Sequence, residues 1–350
     1  MSDVEMIIDG RPVGPGHPPY VIAEMSGNHN GQLDRALALM EAAKQAGADA
    51  VKLQTYTADT LTIDHDSDDF RIKGGLWGGY TLYQLYKEAS TPWEWHEALF
   101  AKGRELGLTV FSTPFDETAV DFLESLGNPV YKIASFEATD HTLVAKAAST
   151  GKPLIISTGM ANLGEIAATV RVARSHGAGG LALLHCVSAY PAPVAETNLK
   201  TIAHLAEAFG VVGGLSDHTM GTAVSTAAVA LGAAVIEKHF TLARADGGPD
   251  SAFSLEPEEL RRLCEDCRMA WEAVGHVSYD LAPAESSSLT FRRSLYIVRD
   301  VAEGEILTGE SLRSIRPGFG LSPSLFAEVI GRRVNRPLTR GTPLRWDMLR

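Results

Sequence analysis

The sequence predicts a (β/α)8 TIM barrel followed by a small, mostly β domain. Between about residues 20 and 275, eight short β-rich apolar runs alternate with segments of helical apolar spacing. The runs are almost continuously apolar, which is typical of parallel strands covered on both faces. Eight such units in about 250 residues match the usual size of this barrel. An open, doubly wound sheet is the alternative.

The eight predicted barrel strands are short and evenly distributed. They are Tyr20–Glu24, Ala50–Thr55, Leu108–Thr113, Val130–Ala134, Pro153–Thr158, Gly180–Cys186, Val211–Ser216 and Ala234–His239. A segment with a 3.6-residue apolar period follows each strand, as in Leu33, Leu37 and Met40 ahead of Gly47, a typical helix C-cap. We expect the barrel domain to cover residues 1–280.

Two stretches depart from the βα pattern. The second connection, Tyr56–Thr91, is long enough to form a lid or an oligomer contact. It contains Asp64, Asp66, Asp68 and Asp69 and the Gly-rich run Gly74–Gly79. A Pro/Ser-rich segment, Ala282–Ser288, predicts a linker at 281–290. Short strands and turns then predict a small β domain over residues 291–350.

Composition excludes several classes of function. The 350 residues carry a formal net charge of −12, which argues against nucleic acid or a membrane surface as a partner. Three cysteines and an N-terminus without a basic and apolar leader favour the cytoplasm. The uncharged stretch Thr219–Ile236 predicts a helix and a buried strand instead of a membrane span. Cys264 and Cys267 fall in a helical pattern, which argues against a zinc or redox motif.

Polar side chains gather where the predicted strands end, which is where barrel enzymes place their active sites. They are Glu24, Lys52, Gln54, Ser112, Thr113, Lys132, Ser135, Glu137, Ser157, Thr158, His185, Ser188, Ser216, His218, Lys238 and His239. Fold stability alone does not require so many ionisable groups at the carboxyl end of the barrel, which we call its mouth.

Lys52 and Lys132 lie within otherwise apolar strands and therefore need anionic partners. One interpretation is a Lys–Glu pair inside the barrel. The other is that both lysines, together with Ser and Thr hydroxyls, hold the phosphate and carboxylate of a small substrate.

His218 and His239 end neighbouring strands, so they can face one ion although 21 residues separate them. Two imidazoles completed by oxygen ligands suit a labile Mn²⁺, Co²⁺ or Zn²⁺. Two separately satisfied core histidines are the alternative.

Several motifs together resemble the sialic acid synthase family in order and spacing. They are Ile22–Glu24, Asn28–Gly31, Val51–Thr55, Ser112–Phe115, Tyr131–Ser135, Tyr190–Pro191, Ser216–Thr219 and Glu237–Phe240. The resemblance continues into the tail, which looks like the family's antifreeze-like (SAF, β-clip) domain. It implies a metal-dependent, C–C bond-forming transferase that condenses phosphoenolpyruvate (PEP) with an N-acylated amino sugar.

Within that family the sequence looks most like the pseudaminic acid branch. Met25–Ser26, Thr91–His96 and Ser188–Pro193 carry this likeness. The implied acceptor is 2,4-diacetamido-2,4,6-trideoxy-L-altrose, and the alternative is an N-acetylneuraminate or legionaminate precursor. A barrel aldolase using a phosphorylated sugar and a non-catalytic carbohydrate binder are further alternatives. The SAF tail argues against the aldolase, and the polar mouth argues against the binder.

The resemblance also assigns residues, position by position. The implied PEP-binding residues are Lys52, Thr113, Lys132, Ser135, Ser188 and Ser216. The implied metal ligands are His218 and His239. Acceptor binding falls on Glu24, Gln54, Tyr190, Asp250 and Arg316, and the implied catalytic group is Glu137, Glu24, Lys52 and Lys132. Ser188 departs from the family, which usually has Asn there.

The family's partners follow from the same resemblance. The expected cofactor is a divalent metal, Mn²⁺ first and Mg²⁺ or Co²⁺ otherwise. The expected assembly is a domain-swapped homodimer, in which Arg316 of the tail reaches the acceptor in the partner's barrel. Without the family, Arg316 would be interpreted as a solvated turn arginine.

Overall fold

The computed structural model describes residues 4–350, which form two compact units. One unit ends at Gly275, and the other is His276–Arg350. The chain begins with an antiparallel hairpin of β1 (Met6–Ile8) and β2 (Arg11–Val13). Its turn residues Asp9 and Gly10 have φ of 48° and 78°, the left-handed conformation that a tight two-residue hairpin turn requires.

Eight parallel strands close into the predicted barrel. They are β3 (Tyr20–Glu24), β4 (Ala50–Thr55), β5 (Thr109–Pro114), β6 (Tyr131–Ile133), β7 (Leu154–Ser157), β8 (Leu181–Cys186), β9 (Val212–Asp217) and β10 (Val235–His239). They follow chain order around the barrel, and β10 pairs with β3. The closed barrel is therefore confirmed, and the open sheet is wrong.

Helices cover the outside of the barrel. They are α1 (Leu33–Ala46), α2 (Ala58–Leu61), α3 (Leu82–Ala89), α4 (His96–Leu106), α5 (Glu117–Ser125), α6 (His141–Ala148), α7 (Leu163–Ser175), α8 (Lys200–Phe209), α9 (Ala223–Ala230) and α10 (Pro257–Val274). Asp116 and Asn162 accept backbone N–H bonds at two helix starts, and Gly47 ends α1 at a φ of 90°. Within residues 4–350, no helix combines the length and the apolar character that a membrane crossing requires.

Alternation along the strands creates two separate apolar clusters. Residues such as Ile22 and Phe111 face the barrel interior, and their neighbours such as Val21 and Val110 pack under the helices. Met6, Ile8 and Val13 of the hairpin join the interior cluster and close the amino-terminal end of the barrel. Polar interior residues are thereby confined to the carboxyl end.

The second unit is built around its own core. It contains β11 (Ser294–Ile297) paired with β12 (Leu312–Ile315) and the short helix α11 (Phe326–Val329). Its buried residues include Leu295, Leu312 and Leu344. The segment predicted as a linker contains an exposed 3-10 helix, Pro283–Phe291.

Candidate active site at the barrel mouth

Four buried ionisable residues project into the carboxyl end of the barrel. They are Glu24, Lys52, Lys132 and Glu237. Each is separated by an even number of positions from the interior apolar residues of its strand, so its side chain lies on the same, inward face. Each is at most 5% exposed. The same alternation that builds the core therefore carries two lysines and two glutamates into one small volume.

Lys52 is held between two carboxylates. Its Nζ lies 2.6 Å from Glu24 Oε2 and 3.9 Å from Glu237 Oε2, and it donates to Thr113 Oγ1 at 3.1 Å. Burial lowers the pKa of Lys52, but Glu237 and Glu24 together outweigh it, so the net shift is upward. Burial raises the pKa of Glu24 to about 7 against the attraction of Lys52. Lys52 is therefore a charged cation next to a carboxyl that titrates near neutrality.

Lys132 has fewer partners. Its Nζ donates to Ile133 O at 3.2 Å and lies 3.7 Å from Glu237 Oε1, beyond hydrogen-bond distance. Burial lowers the pKa of Lys132 despite the opposing effect of Glu237. The Lys–Glu pairing inside the barrel is thus present, and the binding of a substrate anion by the remaining lysine donors stays a prediction.

Hydroxyl groups surround these lysines. Ser216 donates to Glu237 Oε1 at 3.1 Å, and Gly159 N donates to Ser135 Oγ at 3.1 Å. A Cβ at Gly159 would collide with the hydroxyls of both Ser135 and Ser188. Glycine therefore lets two hydroxyls from separate loops converge, an arrangement suited to phosphate oxygens.

His218 and His239 are brought together as predicted. Their ring centroids are 5.4 Å apart, and His218 donates through Nδ1 to Val187 O at 3.0 Å, which leaves Nε2 as an acceptor. Burial holds the pKa of His239 well below its usual value, so this imidazole is neutral. Its buried Nδ1 has no hydrogen-bond partner among the described residues, so the pair fits a divalent cation.

Within residues 4–350, no group of three or more His, Cys, Asp and Glu side chains is arranged to hold a metal ion.

A cavity of about 440 Å³ opens beside the histidines. Its polar side consists of Ser26, Gln54, Glu137, His239 and Asp250. Gln54 donates to Glu24 Oε1 at 2.9 Å and to Ser26 Oγ at 3.2 Å, and Ser26 in turn donates to Asp250. This chain of hydrogen bonds connects three predicted acceptor residues that lie far apart in sequence.

Tyr190 packs over the two histidines. Its ring lies 4.3 Å from that of His218 and 6.2 Å from that of His239, and it also contacts Phe253. Tyr190 therefore lies next to both histidines and, like His239, lines the cavity.

Glu137 lies on a 3-10 turn, Ser135–Glu137, directly after β6. Its buried Oε2 has no hydrogen-bond partner among the described residues, and it lines the cavity. Burial raises its pKa to about 7, although Lys132 opposes this. A carboxyl that titrates near neutrality and lacks a partner is suited to proton transfer.

Three residues expected at the mouth lie on the outer side of the sheet instead. Ser112 bonds Thr55, His185 bonds Thr197 O at 2.6 Å, and Lys238 pairs with Asp217 at 2.8 Å. The reason is that successive side chains of a strand point to opposite faces, and each of these residues is adjacent to one that faces the barrel interior.

The sequence prediction also missed residues that the structure brings to the site. Glu237 contacts both lysines, and Ser26 joins Gln54 to Asp250. The signal for Glu237 was its position two residues from His239, on the same face of one strand. Arg316 follows β12 in the second unit and is exposed.

The closed barrel, with buried lysines, carboxylates and histidines gathered at the carboxyl ends of its strands, defines the class of (β/α)8-barrel enzymes. Comparison with known proteins agrees with that class. Residues 39–279 match the model of the NeuB family, and residues 292–350 match that of the SAF domain. The chain belongs to the NeuB family.

Its relatives include two curated synthases. A pseudaminic acid synthase of Campylobacter jejuni subsp. jejuni is 43% identical over 93% of this chain and 95% of its own. One of Helicobacter pylori is 42% identical over 94% of this chain and 97% of its own. The crystal structure of an N-acetylneuraminic acid synthetase from Leptospira borgpetersenii superposes with a TM-score of 0.73 at 30% identity, covering 81% of this chain and 95% of that one.

Proposed function

We propose that this chain is a pseudaminic acid synthase. It condenses PEP with 2,4-diacetamido-2,4,6-trideoxy-L-altrose and water to give pseudaminic acid and phosphate. The observation that carries the PEP half is the pair of buried ammonium groups, Lys52 and Lys132, with converging hydroxyls around them. The 42–43% identity to pseudaminic acid synthases supports the acceptor.

The residues divide between the two substrates. Lys52, Lys132, Thr113, Ser135, Ser188 and Ser216 bind the phosphate and carboxylate of PEP. Glu24, Gln54, Tyr190 and Asp250 bind the acceptor. These sets meet where Gln54 donates to Glu24 and Glu24 contacts Lys52, so the two substrates lie side by side.

The bond changes follow from these substrates. C3 of PEP attacks the open-chain aldehyde carbon of the acceptor, and the aldehyde oxygen takes up a proton to become a hydroxyl. Water adds to C2, which has gained positive character, and the resulting tetrahedral carbon becomes the C2 ketone when phosphate departs. Glu137 stabilises that charge or takes the proton of the water, and phosphate leaves by C–O cleavage. Lys52 and Lys132 neutralise the anion throughout.

His218 and His239 would hold the divalent cation, with Mn²⁺ proposed first and Mg²⁺ or Co²⁺ as alternatives. When bound there, such an ion supplies Lewis-acid polarisation of the acceptor aldehyde. We place the enzyme in the cytoplasm as a domain-swapped homodimer, in which Arg316 contacts the acceptor in the partner's barrel.

Phosphate release from PEP tests the function directly. The purified protein is given Mn²⁺ or EDTA, and either the trideoxy-altrose acceptor or N-acetylmannosamine. Release with the trideoxy acceptor and Mn²⁺, and its loss with EDTA, is the expected result. Preference for N-acetylmannosamine would instead make the protein an N-acetylneuraminate synthase, the activity of the Leptospira relative.

A further inference from the structure

Most residues that line the cavity are apolar or aromatic, and the long second loop supplies several of them. Leu61, Ile72, Trp77 and Leu82 line the cavity and all come from the connection between β4 and α4. We refer to these four side chains as the loop wall. The polar residues Gln54, Glu137 and Asp250 line the same cavity but come from other parts of the chain, so the lining combines polar groups with apolar side chains.

A small hairpin presents two members of the loop wall. Arg71 and Thr81 form an antiparallel bridge, Ile72 N donates to Tyr80 O at 3.0 Å, and Gly79 N donates to Ile72 O at 3.0 Å. Within residues 71–80, Ile72 and Trp77 are half-buried and all the others are exposed. The hairpin therefore projects two side chains inward and leaves the rest in solvent.

Trp77 attaches this hairpin to the barrel. Its Nε1 donates to Pro249 O at 2.8 Å, across 172 residues of sequence, and its ring centroid lies 5.7 Å from that of Tyr190. Pro249 directly precedes Asp250, which accepts from Ser26 on the polar side. The loop wall is thereby held at a defined position relative to the acceptor-binding residues.

The chemistry of the loop wall discriminates between sugars. Leu61, Ile72 and Leu82 carry no polar side-chain atom, and the indole N–H of Trp77 is already donated. A sugar hydroxyl placed against this surface would lose its water partners without replacement, whereas a methyl group would gain apolar burial.

We propose that the loop wall determines acceptor specificity by selecting a sugar with a C6 methyl and a C4 acetamido methyl in place of the two hydroxyls at those positions. This inference rests on the proposed function, because the trideoxy acceptor has a C6 methyl and an acetamido group at C4. N-acetylmannosamine has a hydroxymethyl and a hydroxyl at those positions.

The test measures kcat/KM for both acceptors, and KM for PEP, in the full-length enzyme with Mn²⁺. The variants are Ile72→Ala and Trp77→Ala. Trp77→Phe keeps an aromatic ring and removes the donor to Pro249. Leu76→Ala, in the same hairpin but 50% exposed and outside the cavity lining, is the matched control.

We expect each alanine variant to reduce the preference for the trideoxy acceptor by about tenfold or more, because a lost apolar contact is worth that much discrimination. KM for PEP should stay within about twofold of wild type, since the proposed PEP-binding lysines, Lys52 and Lys132, do not line this cavity. Trp77→Phe should retain more of the preference than Trp77→Ala, and Leu76→Ala all of it.

The outcomes separate the two proposals. If the wild type prefers the trideoxy acceptor and the alanine variants leave that preference unchanged, the loop wall proposal is wrong and the proposed function stands. If the wild type prefers N-acetylmannosamine, both are wrong. A rise in KM for PEP equal to the rise for the acceptor would indicate general disruption and would also overturn the loop wall proposal.

Discussion

Glu237 sets the charge of the barrel mouth. It lies 3.9 Å from Lys52, 3.7 Å from Lys132, and accepts a hydrogen bond from Ser216. Burial would raise the pKa of Glu237, but Lys132 and Lys52 outweigh burial and hold it below its usual value. The ionised carboxylate of Glu237 therefore offsets part of the free-energy cost of burying two ammonium groups in the free enzyme. In the proposed function, both ammonium groups then bind the anionic substrate.

Glu137→Gln should separate binding from turnover. The amide preserves shape but cannot accept a proton, so turnover should fall by about two orders of magnitude or more. PEP affinity, measured by isothermal titration, should be nearly unchanged because Lys52 and Lys132 are intact. Glu207→Gln, at an exposed position on α8, is the control. Wild-type turnover in Glu137→Gln would remove this residue from catalysis.

The pH profile should show the titration of Glu137. With its pKa raised to about 7 by burial, the carboxylate that acts as base is lost below neutrality. The wild-type rate should therefore fall about tenfold per pH unit well below pH 7. Because the pKa of Glu24 is also raised to about 7, that residue contributes to the same limb, and Glu137→Gln should make the limb less steep.

The same shift has a consequence for stability, with the opposite sign. The pKa of Glu137 rises from the ordinary 4.5 to about 7 on folding, so folding takes up a proton between pH 4.5 and about 7. The contribution of Glu137 to the free energy of unfolding therefore declines as the pH rises through this range. Glu137→Gln should accordingly gain in Tm relative to wild type at pH 8 and lose that advantage near pH 5. An equal Tm difference at both pH values would contradict the shift.

At the scale of elements, the connection from β9 to α9 is held by an ion pair outside the barrel. Lys238 donates to Asp217 at 2.8 Å and also to Thr219 O, and Asp217 accepts from Ser225 at 2.6 Å. Both charges are at most 2% exposed. The pair therefore joins two neighbouring strands to a helix and supports the loop that begins with His218.

Asp217→Asn should destabilise the barrel strongly. Removing one charge leaves the Lys238 ammonium buried without a counter-ion, which costs about 3–5 kcal/mol. Urea denaturation monitored by circular dichroism would measure the loss. Glu258→Gln, which breaks an exposed pair with Arg261 on α10, should leave the midpoint unchanged. Similar midpoints for both variants would show that the buried pair contributes little.

At the scale of the whole molecule, the proposed domain swap predicts complementation between two defective variants. Arg316→Ala impairs the tail's contribution, and Glu137→Gln impairs the barrel. In a swapped heterodimer, one site combines the intact barrel of the first with the intact tail of the second. Unfolding and refolding a 1:1 mixture should restore about one quarter of the wild-type sites. Activity no higher than the average of the separate variants would exclude the swap.

Much of the fold was predictable because strand alternation and the βα order are local in sequence. Each predicted strand overlaps an observed one, and their ends differ by one residue at most. The exact ends differ because they depend on pairing with the neighbouring strands. The first hairpin was not predicted, although Asp9–Gly10 between apolar residues is a strong turn signal. Its strands have only three residues each, too few for a clear alternation.

For the candidate site, the residues at the strand ends were predictable, but not which of them face the mouth, because Ser112, His185 and Lys238 lie on the outer side and Glu237 was missed. The sequence by itself determined which residues stand at the strand ends, since period-two alternation and the family motifs are written in the chain. Only the tertiary structure decided which of them meet: Glu237 with both lysines, Ser26 with Asp250, and Trp77 with Pro249. The physical reason is that barrel closure brings together residues such as Ser26 and Asp250, which are 224 positions apart, and the hydrogen bonds between them depend on that closure.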